Sequence, residues 1–343
     1  MMSSDKVGPS GEKGVALLLV VSVVSLLTVI ILQFNKNMRF NLDQAWSFKD
    51  REQLNSIAES GIDLAIAVLH TDSYDNDHDS MHDSWGKIGE APLTIFDRGA
   101  ALNITISDLS GRFQLNSLVL SGVEGGAQDS NTNLSPDQAK EIFLRLLLSG
   151  EFSIEDDLQA NEIVDSIVDW LDSDDKESTY GAEEGYYESL DPPYSPRNNL
   201  LELPNELLAI KGITSELLYG NDEKKALADY ITVFGDNGTI NINTADPLLI
   251  QAIDDRVEAE NAALLVEFRE DEDNAALLGE QSWYRSVSGW PGDIELSNRF
   301  VVTTSNFFKI TAEATLGNGV LTMVAYIKRS GKQKMEILYR KVN

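Results

Sequence analysis

A run of eighteen residues near the start of the chain, Val15 to Leu32, restricts what the rest can fold into. It carries no charged residue, no Gly and no Pro. At about 1.5 Å per helical residue it spans roughly 27 Å, close to the hydrocarbon thickness of a bilayer. In lipid an isolated helix satisfies its own backbone, so a helix is the expected form. Ser22, Ser25 and Thr28 are compatible with it, because small hydroxyls bond back to helix carbonyls and let neighbouring helices approach. A polar stretch, Met1 to Gly14, precedes the run. Gln33-Phe34-Asn35-Lys36 follows it, a poor match to the small-residue cleavage site of a secretory signal.

The helical pattern continues past Leu32. Leu54, Ile57, Ala58, Gly61, Ile62, Ala65, Ile66 and Leu69 recur three and four apart. No Pro falls between Val15 and Leu69. The spacing predicts one helix over this span, about 80 Å long. Its first half suits lipid or a fibre core, and its second half suits packing on a globular domain. A coiled-coil stalk is the alternative; Gly61 and the short stripe favour packing on a sheet. The 343 residues exceed what one ordinary domain requires. A net charge of −29 excludes general binding to nucleic acid or anionic membranes by charge attraction, and suits cation binding. With no cysteine, disulfide and thiolate chemistry are excluded.

The polar stretch Thr71 to Ser80 alternates Asp and Asn as an EF-hand loop does. It lacks the Gly at the sixth place and the Glu at the twelfth, and reads as a solvated loop. His70, His78 and His82 have spacings that fit no zinc pattern and support no catalytic histidine. Ala100 to Asp108 alternates as a strand, Ser110-Gly111 turns the chain, and Arg112 to Leu118 is expected as a second strand. Gly, Ser, Asn and Asp from Val123 to Ser135 mark a loop. Ser135-Pro136 then opens a helix with Ile142, Phe143, Leu146 and Leu147 on its apolar face. A second helix, about Asn161 to Leu171, buries Ile163, Ile167, Val168 and Trp170.

Where that helix stops, Asp169, Asp172, Asp174 and Asp175 crowd within seven residues, and Gly181-Ala182-Glu183-Glu184-Gly185-Tyr186-Tyr187 follows. Carboxylates crowd this way only when solvated or joined by a cation, and Ca2+ takes hard oxygens from flexible loops. Paired carboxylates also serve glycosidases, but nothing supplies a sugar cleft. No nucleophile–base pair emerges, so the chain is expected not to be an enzyme. Leu203 to Thr214, followed by a helix from about Ser215 to Asp229, resembles half of a helix-hairpin-helix DNA motif, as does Ile240 to Asp246. Such hairpins offer the amides of a Gly-x-Gly turn to phosphate. Here Thr214 stands at the third position and the surroundings are acidic, so a structural hairpin is expected. Helices around Leu248–Arg269 and Asn274–Glu280 come next, with Trp283, Tyr284 and Trp290 packing an edge.

Strands return at Phe307–Leu316, Val320–Lys328 and Met335–Arg340, with a hairpin signal at Gly317-Asn318-Gly319. The expected fold is α+β. A long N-terminal transmembrane helix (15–70, spanning at 15–32) packs on an antiparallel sheet in an α/β domain (71–122 and 291–343), an arrangement that is pilin-like by the resemblance set out next. An inserted all-α domain (123–290) interrupts the sheet.

Gly14 ahead of the apolar run resembles the leader of type IV pilins and type II secretion pseudopilins. By that resemblance residues 1–14 are a leader, and prepilin peptidase cuts between Gly14 and Val15 to leave an N-methylated Val15. An ordinary single-span anchor is the alternative. Most such proteins carry Glu at the fifth mature position, which pairs with a neighbour's amine; here it is Leu19. A buried carboxylate in lipid is costly unless paired, so its loss removes the need for a subunit ahead. Ala58-Glu59-Ser60-Gly61 is similar to the family's helix–domain junction. Gly111 to Leu118, the Asp-Trp-x-Asp-x-Asp…Gly-Ala-Glu-x-x-Tyr-Tyr…Pro-Pro-Tyr pattern and Ile240 to Ala245 resemble the K-type minor pseudopilins.

That resemblance implies calcium, held by Asp172, Asp174, Glu183 and Glu184. Asp169 is set apart because it can instead cap the helix end. It also implies a protein of the bacterial inner membrane, single-pass, with its C-terminal domain in the periplasm. There it would cap the tip of the secretion pseudopilus with I-type and J-type minor pseudopilins and help initiate assembly for protein export. No nucleic-acid partner is expected. The alternative from another class is a membrane-anchored DNA-uptake receptor using the hairpin runs.

Overall fold

The computed structural model describes residues 12–95, 99–119, 134–235, 237–331 and 334–342. The expected leader up to residue 11 and the Gly/Ser-rich loop from 123 to 133 lie outside the described residues. Helix α1 (Glu12–Asp75) leads into α2 (Ser84–Lys87), β1 (Leu93–Ile95) and β2 (Ala100–Asp108). Then come β3 (Phe113–Gln114), α3 (Pro136–Leu147), α4 (Asp157–Leu171), α5 (Glu184–Tyr187) and α6 (Ser215–Tyr219). Strands β4 (Ile231–Thr232) and β5 (Ile240–Asn241), helices α7 (Pro247–Ile253) and α8 (Ala259–Glu270), and β6 (Val301–Val302) follow. The chain closes with β7 (Phe307–Leu316), β8 (Gly319–Ser330) and β9 (Lys334–Val342).

The 64 residues of α1 make a rod of about 96 Å. It runs past Leu69 to Asp75 because its last polar side chains bond back into the helix: Thr71 Oγ1 donates to Ala67 O and Ser73 Oγ to His70 O. Val15–Leu42 is long and apolar enough to cross a membrane, with mean hydropathy 3.1 and no burial in the protein. Thr28 Oγ1 donates to Val24 O at 2.7 Å, so that hydroxyl is satisfied inside the helix. From Leu54 onward the helix packs. Leu54, Ala58, Ile62, Ala65 and Leu69 are buried on a sheet of order β1-β2-β7-β8-β9, antiparallel throughout.

The register of that sheet puts Leu102 opposite Ala314, Ile104 opposite Ala312 and Ile106 opposite Ile310, all buried. The small Ala312 lets the rod approach: a Cβ on Gly61 would sit 2.9 Å from Leu102 Cδ1 and 3.0 Å from Ala312 Cβ. Trp85 meets Phe308 edge-on at 5.5 Å and closes the core from the side. The β7–β8 hairpin turns at Gly317, whose φ of +58° falls in the left-handed region.

A second, larger core runs from Leu109 to Phe307. Its buried residues extend past the expected limits of 123 and 290, to Leu109 and Phe307. The insertion is also not all-α, since β3 pairs with β4 and β5 with β6, both in parallel. The run Arg112 to Leu118 is not a second strand of the pilin-like sheet. After two strand residues it closes into a 3-10 turn, because its polar side chains bond inside the inserted unit. Gln114 donates to Thr239 O and accepts from Gly238 N–H, while Asn116 donates to Leu201 O and Val233 O and accepts from Leu201 N–H. Helix α3 begins as its residues dictate, with Ser135 and Gln138 forming a capping box and Pro136 at the first helical position.

Candidate metal centre

Asp169 is fully buried near the C-terminal end of α4, beside Trp170, which packs edge-on against Tyr187 at 5.1 Å. Its carboxylate does not cap the helix. It accepts backbone N–H bonds from Ser178 (3.1 Å) and Ala182 (2.9 Å), and so folds the acidic loop back over the helix. Gly181 lets the loop pass, since a Cβ there would lie 1.8 Å from Asp169 Oδ2. Lys211 Nζ ties the same turn down through Tyr180 O and Gly181 O.

This fold turns Glu183 inward. It is 7% exposed, and neither carboxylate oxygen has a hydrogen-bond donor. Burial first, then repulsion from Asp169, Asp172, Asp175 and Asp174, pushes its pKa to about 7. Asp172 Oδ1 is likewise buried without a partner, and its pKa is raised by burial and by Asp174 and Asp169. Asn198, at φ +46°, donates to Asp174 O and Asp175 Oδ1 while its own Oδ1 stays buried and unpartnered. Orphaned hard oxygens from Glu183, Asp172 and Asn198 around one loop are a donor set of the kind a calcium ion requires. Asp174 and Glu184 are exposed. Sequence reasoning missed Asn198, whose lone signal was its place after the Pro-Pro-Tyr stretch.

Among the described residues, the carboxylates whose oxygens lie within 4.8 Å of one another are elsewhere: Asp72, Asp79 and Asp83. The stretch Thr71 to Ser80, expected to be a solvated loop, is buried at Asp72, Asp79 and Ser80, because the inserted unit covers it, and Asp83 just beyond is buried too. Asn241 and Asn243 Nδ2 both donate to Asp79 O at 3.1 Å, and Arg329 from β8 forms an ion pair with Asp79. The histidines take no part in this cluster: His82 Nε2 lies 2.7 Å from Arg269 O, and His70 packs against Tyr74.

Both hairpin-like runs have structural duties. Thr214 caps α6 through Leu217 N–H, and Gly212, at φ +83°, lies against Ile163. The Ile240 to Ala245 run is the joint between the two units. Asn241 donates to Ser305 Oγ at 2.7 Å, Thr244 Oγ1 donates to Asp108, and Trp283 Nε1 donates to Asn243 Oδ1.

Residues 111–235 match the family model described as Type II secretion system (T2SS), protein K. The type II secretion system protein K of Pseudomonas aeruginosa is 26% identical over 346 positions, covering 96% of this chain and 92% of that one. The chain is similar to type II secretion system protein K over nearly its whole length. A relative in Escherichia coli K12, described as a protein K of the same system, is 30% identical over 208 positions. That match spans 60% of this chain and 59% of the relative's length. The fold is similar to the crystal structure of the GspK–GspI–GspJ complex from the enterotoxigenic Escherichia coli type 2 secretion system. The TM-score is 0.66 at 18% identity, covering 88% of this chain and 99% of that one. The chain thus has an α+β pilin-like fold and one N-terminal helix that fits a single-pass anchor.

Proposed function

We propose that this chain is a minor pseudopilin of a type II secretion system, one that caps the tip of the pseudopilus and helps start its assembly. The observation that carries this reading is where the bulk sits. The inserted unit joins the sheet at the end of α1 farthest from the apolar segment, through Asp79, Asn241 and Asn243. A further subunit stacked along the same axis would have to occupy that volume. Leu19 supports the reading, since it offers no carboxylate to a neighbour's amine. A protein K of similar fold has been solved with GspI and GspJ, which makes an I-type and J-type pair the natural partners here. The apolar Val15–Leu42 would hold the chain in the inner membrane, with the folded units in the periplasm, after prepilin peptidase cuts at Gly14–Val15 and the new terminus is methylated. Its role is assembly rather than catalysis. The DNA-uptake reading has no observation in its favour, since both hairpin-like runs are spent on internal contacts. Co-purification of the full chain with an I–J pair is the test; recovery as an internal filament subunit with copies on both sides would overturn the tip role.

Calcium belongs to the same proposal. Asp172, Glu183 and Asn198 would hold it, with Asp174 and Glu184 at the rim and Asp169 positioning the loop without ligating. The ion would neutralise carboxylates that burial otherwise forces to share protons. In calorimetry on the detergent-solubilised chain, Ca2+ should bind with a heat that Glu183→Gln reduces by the contribution of one site. An unchanged titration in that variant would reject the site.

A further inference from the structure

The buried cluster at the end of α1 is separate from the acidic loop. Asp72, Asp79 and Asp83 are 4%, 2% and 9% exposed, and Arg329, itself 7% exposed, lies against the first two. Asp79 is paired with Arg329, and Asp72 lies 3.6 Å from it. One guanidinium against three carboxylates leaves two negative charges to be compensated in a desolvated space. One oxygen there, Asp79 Oδ1, has no hydrogen-bond donor, and Asp72 Oδ2 has none closer than Arg329 Nη1 at 3.6 Å. Buried carboxylate oxygens are seldom left so unless something else meets them.

The spacing fits an ion. Oxygens within 4.8 Å of one another can share one Ca2+, whose ligands stand at about 2.3–2.6 Å. Asn76 lies between two of the three: its Nδ2 is 3.0 Å from Asp72 Oδ1 and 2.9 Å from Asp83 Oδ1. An amide turned over at the same position presents its oxygen in place of its nitrogen. We infer that Asp72, Asp79 and Asp83, with Asn76, form a second divalent-cation site that takes Ca2+. The ion ties the last turn of α1 to the 76–83 loop. Through Asp79 O, which accepts from Asn241 and Asn243, it reaches the inserted unit.

The test is made on the full chain in detergent, with Ca2+ alone as probe, in a D172N/E183Q background that disables the acidic loop. This background makes the outcome independent of the loop proposal. One Ca2+ per chain should persist by equilibrium dialysis, raise the melting temperature, and be lost on adding D83N, which touches no Arg329 contact. A background variant that binds no Ca2+ and shows no thermal shift overturns the inference. So does a folded D83N addition that keeps the ion. If D83N fails to fold, the dialysis and melting measurements on the background variant alone still decide.

Discussion

Single residues carry the strongest physical demands. Gly181 stands where a Cβ would overlap the buried Asp169 carboxylate. Gly181→Ala should therefore cost about 1–3 kcal/mol in urea unfolding and weaken Ca2+ uptake at the loop, with no change at the Asp72 cluster; equal stability to the parent would show that the loop has room to shift. Titration makes a second demand. Burial pushes Asp72 and Glu183 to about 7 and Asp108 to about 6, the last against hydrogen bonds from Ser305 and Thr244. A carboxyl whose folded pKa is raised holds its proton more tightly in the folded state. It adds stability that is complete below the ordinary carboxylate range and is lost as pH rises through the raised value. The metal-free protein should thus melt at progressively lower temperature between about pH 5 and pH 8, and saturating Ca2+ should flatten that slope. A flat metal-free profile would mean that these carboxyls are not buried in solution.

At the scale of elements, the rod and sheet meet through small residues. Ala58, Gly61 and Ala65 on α1 face Leu102, Ala312 and Ala314, and the crossing works because no side chain holds the helix off. Gly61→Val should cost about 1–3 kcal/mol in denaturant unfolding of the folded units, by overpacking against Leu102. Membrane extraction should be unchanged, because the exposed Val15–Leu42 is untouched. A silent substitution would show that the helix rides higher on the sheet than the structure has it. Alternation made the strands legible: Ala100–Asp108 and Phe307–Leu316 follow directly from their periodicity. Short elements were not legible. The run from Arg112 looked like a strand because its apolar residues alternate, but partners far along the chain turn it into a 3-10 turn. The expected helix from Ser215 to Asp229 breaks at Gly220, whose φ of +70° ends α6.

For the whole molecule, the joint between units decides the shape. It is polar and buried, with Arg329 at its centre donating to Asp79 and to Ser305 O. Arg329→Met leaves the Asp79 carboxylate buried without its counter-charge and should cost about 3–5 kcal/mol at neutral pH. The deficit should shrink towards pH 5, where Asp72 takes up a proton. A loss under about 1 kcal/mol in chemical unfolding would remove the joint from any account of how the insertion is held. The membrane-length rod, the excess of acid and the strands of the pilin-like sheet were all determined by local order along the chain, because hydrophobic periodicity depends only on near neighbours. The two carboxylate centres were decided only in three dimensions. Thr71 to Ser80 reads as a wet loop until the inserted unit closes over it. Asn198 reaches Asp174 and Asp175 across more than twenty positions of chain, and Glu183 is buried only because Asp169 folds the loop back. Burial is what turns an ordinary aspartate into a strained one, and burial is set by residues hundreds of positions away.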